Sequence, residues 1–210
     1  MAYDFNGSSQ YISGTISLPA ITPLTLSAWC RPDGFTTTRS VISVNNTSAN
    51  GRHALFFDTA AKLSAQTASG ASAAQAVTTT AATASTWAHV AGVFSAANSR
   101  VAWLNGSASS AETTNVGLAA VDTLAIGNTR VHPNWVTYFD GRIAERAVWS
   151  AALSDSEIAA LANGVSPLLI RPQSLLHYAP LIRDINDVRA GIVLTNNGSA
   201  TVADHTRIYR

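Results

Sequence analysis

Charge is what this sequence has least of. Of 210 residues, 13 are basic and 12 acidic, so charged side chains make up 12% of the chain, roughly half the ~25% of an ordinary soluble domain. Lys62 is the only lysine; the other basic side chains are arginines. A formal net charge of +1 offers no basic field to a polyanion, so nucleic acid is not an expected partner. Ala, Ser, Thr and Asn take the place of the missing charge. A neutral polar surface of that kind carries little repulsion between copies and suits a protein that packs against neighbours. Cysteine is almost absent too. The single Cys30 cannot close a disulfide within the chain, and in the run Leu24–Arg31 it reads as a small buried hydrophobe. No apolar run is long enough to span a bilayer, so no membrane partner is expected. Met1-Ala2-Tyr3-Asp4-Phe5 has neither the basic nor the apolar region of a secretory signal. The sequons at Asn6, Asn46, Asn105 and Asn197 therefore read as turn chemistry, and synthesis without secretion by the standard route is expected.

What the chain does have is a series of short alternating runs between turn residues. Tyr11–Gly14, Leu24–Arg31, Ser40–Val44, His53–Asp58, Lys62–Thr67, Thr86–Phe94, Ser99–Leu104, Asp122–Gly127 and Phe139–Trp149 each read as a strand. In Thr86–Phe94 the residues Trp87, His89, Ala91 and Val93 share one face, which makes His89 a satisfied core histidine rather than a base. Asn105-Gly106 is a strong two-residue hairpin signal. Strands at this spacing indicate a sandwich or barrel, and 210 residues suit one such domain. Residues 64–86, poor in large side chains, read as outer or edge strands with a long loop.

One helix is legible. Ser154-Asp155-Ser156-Glu157 is a capping box, Ile158 and Leu161 form an apolar stripe, and Gly164 and Pro167 end it. Beyond it the character changes. Leu168-Leu169-Ile170-Arg171-Pro172 and Leu175–Ile182 are apolar runs broken by proline, which restricts them to edge or irregular extended positions. Residues 1–164 thus read as the sandwich and residues 165–210 as a C-terminal arm, packing on the sandwich or on a neighbouring subunit. Leu168, Leu169, Ile170, Leu175, Leu176, Tyr178, Arg207 and Tyr209 are its candidate contact residues.

Tyr3–Ile12, Leu26-Ser27-Ala28-Trp29, Trp87–Ala91, Trp103-Leu104-Asn105-Gly106, Leu124–Asn128, Phe139–Glu145 and Trp149–Ile158 occur in an order and spacing that resemble the concanavalin A-like, laminin-G-like (pentraxin-like) family. The resemblance covers roughly residues 1–164. It implies an all-β fold, a two-sheet antiparallel jelly-roll sandwich with one short capping helix and an extended C-terminal arm. It also implies a concave face or loop rim that often binds glycans, in some members with calcium. The chain departs from that pattern at Gln10 and Ala144, where the family commonly has acidic residues, and Asp33, Asp58, Asp122 and Asp140 are dispersed. Calcium needs several converging oxygens, so no cofactor or metal is expected. Leu176–Leu181 and Ala203–Tyr209 resemble the tails of laminin-G-like proteins encoded by bacteriophages.

The chemistry-bearing residues are few. Glu112, Glu145 and Glu157 are the only glutamates; Glu157 is committed to the helix cap, and Glu145 lacks, two residues to either side, the second carboxylate that a retaining glycosidase requires. Five histidines lie far apart without zinc-ligand spacing, and no nucleophile elbow or phosphate loop is present. Enzymatic activity is not expected. The segment Arg130–Tyr138 is the best ligand-site candidate, with Trp135 and Tyr138 to stack on sugar and Arg130, His132 and Asn134 to hydrogen-bond. The plainer reading is that Trp135 and Tyr138 only pack the loop onto the sandwich. The leading expectation is a non-enzymatic virion structural protein, a capsid decoration or tail-associated component made in the bacterial cytoplasm. Its partners would be virion proteins and copies of itself. The alternative is a lectin-like module that adheres to host polysaccharide.

Overall fold

The computed structural model describes residues 1–18, 21–118 and 120–204. Two antiparallel sheets pack face to face, with strands numbered along the chain. The first sheet runs in the order β10 (Ser107–Ala108), β9 (Ser99–Leu104), β8 (Ala88–Ala96), β3 (Leu24–Pro32), β14 (Asp140–Trp149), β1 (Ala2–Asn6) and β17 (Thr201–Ala203). Beyond the end of β1, strand β15 (Leu175–Ala179) pairs with the second half of β14. The second sheet runs β16 (Thr195–Asn197), β2 (Tyr11–Thr15), β11 (Thr123–Ile126), β4 (Arg39–Asn45), β5 (Gly51–Phe57), β6 (Lys62–Ser69) and β7 (Ser72–Ala81). A separate hairpin of β12 (Thr129–Val131) and β13 (Asn134–Val136) lies outside both.

The alternation read from the sequence builds the space between the sheets. On β3, Leu24, Leu26, Ala28 and Cys30 are fully buried in the main core, while Thr25, Ser27 and Trp29 point to the other face. Facing them are Ile42, Leu55, Phe57, Leu63, Leu124 and Ile126 of the second sheet. Each such side chain stabilises the fold by about 1.5–3 kcal/mol on burial. Asn105 and Gly106 both have positive φ, at 50° and 78°, and turn β9 into β10, as the dipeptide signals.

The two outer faces are treated differently, and this places the site. On the first sheet, Ala91, Val93, Trp103, Ala147 and Trp149 form a second cluster with Leu153, Ile158, Leu161, Ile170, Leu175 and Tyr178. The helix α1 (Asp155–Ala162) and the chain after it therefore seal that face. Glu157 accepts the Ser154 backbone N–H at 2.7 Å, closing the capping box. Among the described residues, the outer face of the second sheet has no such cover except the β12–β13 hairpin.

Four sequence expectations are corrected. Residues 64–86 hold no long loop: β6 and β7 meet through Gly70 (φ 59°) and Ala71. Ala65 and Ala76 of this hairpin are at most 2% exposed and belong to the main core, so small side chains do fill core here. Leu168 and Leu169 are not extended but lie in a short 3-10 turn, Pro167–Leu169, in which the Leu168 N–H donates to the Ser166 hydroxyl and the Leu169 N–H to the Ser166 carbonyl. Trp87 precedes β8 and does not belong to it. His89 is only half satisfied, its Nε2 bonded to the Ser27 hydroxyl at 2.9 Å and its Nδ1 buried without a partner.

The C-terminal segment threads through both sheets. β16 pairs with β2, β17 with β1 and β15 with β14. Of the candidate contact residues, Ile170, Leu175 and Tyr178 are buried in the second cluster and Leu176 is half-buried. Leu168 and Leu169 are 46% and 63% exposed; Arg207 and Tyr209 lie outside the described residues. A buried ion cluster anchors the segment. Asp187 faces Arg146 at 3.4 Å and His177 at 3.1 Å, and also accepts the backbone N–H groups of Tyr178, Arg189 and Ala190. Nearby, a bulge in β14 puts Glu145 at φ 51°, where its buried carboxylate accepts the Tyr178 hydroxyl.

Candidate functional site

The site begins with the alternation of β5. His53, Leu55 and Phe57 point into the core and are at most 1% exposed. Arg52, Ala54 and Phe56 consequently face outwards. Across from them stand Asn45, Ser43 and Ser40 on β4, and Ala68, Gln66 and Ser64 on β6. Short neighbours on both sides leave the Phe56 ring and the Arg52 guanidinium as the tall features of an otherwise low surface.

The β12–β13 hairpin folds over this surface and turns it into a groove. Buried Asn45 holds the hairpin's root, its Oδ1 accepting the Arg130 N–H at 3.0 Å and the Thr129 hydroxyl at 3.2 Å. The Ser43 hydroxyl donates to the Asn128 carbonyl at 2.8 Å, and the Ser40 N–H to the Thr137 carbonyl at 2.9 Å. Thr137 has φ 56°, a left-handed conformation that a β-branched residue adopts at a cost of about 1–3 kcal/mol. The strain sits where the chain leaves the hairpin. The resulting groove has a volume of about 220 Å³, with Thr38, Arg52, Ala54, Phe56 and Gln66 as floor and Thr129, Val131, Val136 and Thr137 as wall.

A polar ladder crosses the floor. Arg52 donates to the Asn50 side-chain oxygen at 2.8 Å and to Gln66 Oε1 at 2.9 Å, and Gln66 Nε2 donates to Gln75 Oε1 at 3.1 Å. Two of the five guanidinium N–H groups are thereby used and the fork is fixed in place. None of the lining residues is acidic. Burial pushes the Arg52 guanidinium below its ordinary pKa.

The residues singled out in Arg130–Tyr138 are brought together, but on the opposite face of the hairpin. Arg130 and Trp135 are paired across it, the guanidinium carbon 5.5 Å from the ring centre. Trp135 lies 5.0 Å from the Tyr11 ring, and Tyr11 6.2 Å from Tyr138. This cluster docks the hairpin against β2. His132 Nδ1 bonds the Thr47 carbonyl at 3.0 Å, and Asn134 is exposed at the tip. Arg52, Phe56 and Gln66 were missed by sequence reasoning. Their signal is the outward set of β5 and β6, but alternation alone does not say which sheet keeps its outer face open. The dispersed aspartates have local work: Asp33 pairs with Arg31, Asp140 with Arg39, and Asp58 and Asp122 hold turns.

Residues 6–159 match the model of the concanavalin A-like lectin/glucanases superfamily. The chain belongs to this superfamily. None of the curated proteins matches the member in sequence. Among solved structures, the heptameric SAP-like pentraxin of Limulus polyphemus is similar with a TM-score of 0.70 at 16% identity, covering 95% of this chain and 93% of the pentraxin. The CBM40 module of the Ruminococcus gnavus IT-sialidase, bound to sialyllactose, has a TM-score of 0.59 at 16% identity, covering 77% of this chain and 98% of the module. Domain 4 of AbnA, a GH43 extracellular arabinanase from Geobacillus stearothermophilus, in complex with arabinotriose, has a TM-score of 0.60 at 19% identity, covering 77% of this chain and 76% of that domain's chain. At these identities the likeness concerns the fold. Coverage by the pentraxin extends well past residue 164, so the C-terminal strands are part of what is shared.

Proposed function

We propose that this superfamily member is a non-enzymatic glycan-binding module whose ligand lies in the groove between the open face of the second sheet and the β12–β13 hairpin. The observation that carries the reading is the groove's make-up: one aromatic ring, Phe56, beside a fixed row of side-chain donors and acceptors, Arg52 and Gln66. Sugar rings need this combination, an apolar surface for their C–H faces and directional partners for their hydroxyls. The structures of similar fold include modules solved with sialyllactose and arabinotriose. A lining without carboxylates fits binding and offers no acid–base pair for hydrolysis. The test is titration calorimetry of the chain against an oligosaccharide panel, with Phe56→Ala and Trp135→Ala side by side. Binding abolished by Phe56→Ala and kept by Trp135→Ala is the expected result. The reverse pattern would move the site to the aromatic cluster, and no binding by any sugar would end the reading.

A virion setting is the second proposal, favoured by the tail resemblance and the low surface charge. In it the groove faces outwards, and contact with virion proteins uses the exposed Leu168 and Leu169. Loss of incorporation into particles on Leu169→Asp, with sugar binding intact, is the outcome this setting requires.

A further inference from the structure

We infer that the glycan the groove takes is acidic, and that its anionic group, a carboxylate or a sulfate ester on the sugar, docks on the free edge of the Arg52 guanidinium. This rests on the groove being the glycan site. Of the ten described arginines, Arg31, Arg39, Arg142, Arg146 and Arg171 stand within 4.0 Å of a carboxylate, while Arg52, Arg100, Arg130, Arg183 and Arg189 do not. Arg100 and Arg189 give their fork to backbone carbonyls. Arg52 is the one arginine that lines the groove. It is half-buried in the groove floor, its two hydrogen bonds go to neutral amides, and no lining residue bears a negative charge.

A chain so poor in charge has no need of a cation there for solubility, and a buried cation without a counterion is costly. The Asn50 and Gln66 oxygens hold the fork rigid while leaving three N–H groups free, the arrangement that favours a planar or tetrahedral oxyanion over a hydroxyl. Phe56 stands four residues on from Arg52 on the same face of β5, with Ala54 between them and about 13 Å along the strand, so a sugar ring on Phe56 would set the next sugar of the chain over Arg52. Neutral sugars leave the cation unneutralised. Arg130 stands on the far side of the hairpin wall with its guanidinium over the Trp135 ring, and adds to the local positive potential without lining the groove.

The experiment titrates the full chain with oligogalacturonate and sialyllactose, each beside its carboxyl methyl ester, with a sulfated galactose disaccharide, and with neutral arabinotriose and lactose. Arg52→Gln and Arg52→Lys are run in parallel. The expected result is that at least one acidic sugar binds about tenfold or more tightly than its ester or unsulfated counterpart. Arg52→Gln should remove that difference, Arg52→Lys should restore only part of it, and raised salt should weaken the acidic sugar alone. The carboxylate and sulfate arms tell which acid is read. Esters and acids binding alike in the native chain would overturn the inference without any variant having to fold. If neutral sugars bind and Phe56→Ala abolishes it, the glycan site stands and only its acidic character falls; if nothing binds, both fall.

Discussion

His53 shows what a single residue decides in this core. Its ring is 1% exposed, stacked 4.2 Å from Phe94, bonded to the Thr67 hydroxyl at 3.0 Å and to the Ile21 carbonyl at 3.2 Å. Desolvation is the main reason its pKa falls to about 3, and the Ile21 carbonyl and Arg100 act against each other on top of it. His89 on the first sheet falls to about 3 for the same reason, burial. Both rings are therefore neutral when folded, while in the unfolded chain they protonate near 6.5. Below that pH the unfolded state binds protons that the folded state does not, so stability is full above about pH 6.5 and is lost as pH falls towards 3. The slope approaches about 1.4 kcal/mol per pH unit for each histidine. Asp187, held down to about 2 by its partners against the effect of burial, adds its own loss only below about pH 4. Urea midpoints between pH 7.5 and 5 isolate the histidines, and His53→Gln should roughly halve the decline; an unchanged slope in that variant would mean that His53 is not buried neutral. Sequence reading placed His89 in the core through its strand face. It did not find His53's role, because the strand's inward direction depends on which sheet it joins.

At the scale of elements, the strands were legible and their borders nearly so, since turn residues and period-2 alternation act locally. What the sequence hid was pairing between distant segments. Val193 and Leu194 cross Gly14 closely enough that a methyl group built on Gly14 would come 2.6 Å from Leu194 Cδ2 and 2.9 Å from the Val193 carbonyl. Nothing around residue 14 foretells this, because the constraint comes from about 180 positions away. Gly14→Ala should thus lift the chain at Val193 and Leu194 away from β2 and cost about 1–3 kcal/mol. Hydrogen exchange would show it, with faster exchange at Thr195–Asn197 and Thr201–Ala203 and unchanged protection in β3 and β8. Asp187→Ala acts on the same segment more severely. It leaves Arg146 buried without its carboxylate and three backbone N–H groups without their acceptor, so a loss of about 3–5 kcal/mol is expected in chemical denaturation.

The whole molecule divides its labour between its two outer faces. The first sheet needs its cover: Trp149 is fully buried only because Ile170, Leu175 and Tyr178 lie on it, and its indole N–H donates to the Ile170 carbonyl at 2.8 Å. The second sheet keeps its face open, and the groove forms there. The candidate site was hard to read for that reason. Arg52, Phe56 and Gln66 sit on ordinary strand positions and become a site only through the topology that leaves them uncovered, whereas the Arg130–Tyr138 segment drew attention by composition and turned out to support the groove's wall from behind. The same topology makes a prediction about the C-terminal segment. A chain ending at Ser166 loses β15, β16 and β17, uncovers Trp149, Ala147 and Val93, strips Asp187 from Arg146, and removes Leu181 and Leu194 from the main core. Burial of those leucines alone stabilises the fold by several kcal/mol, against a total of about 5–15 kcal/mol for a domain. The shortened chain should therefore show no cooperative thermal transition and no near-ultraviolet circular dichroism from its tryptophans, while the full chain shows both. A cooperative melt in the shortened chain would mean that residues 1–166 fold alone and that the segment after them is free to pair with another subunit.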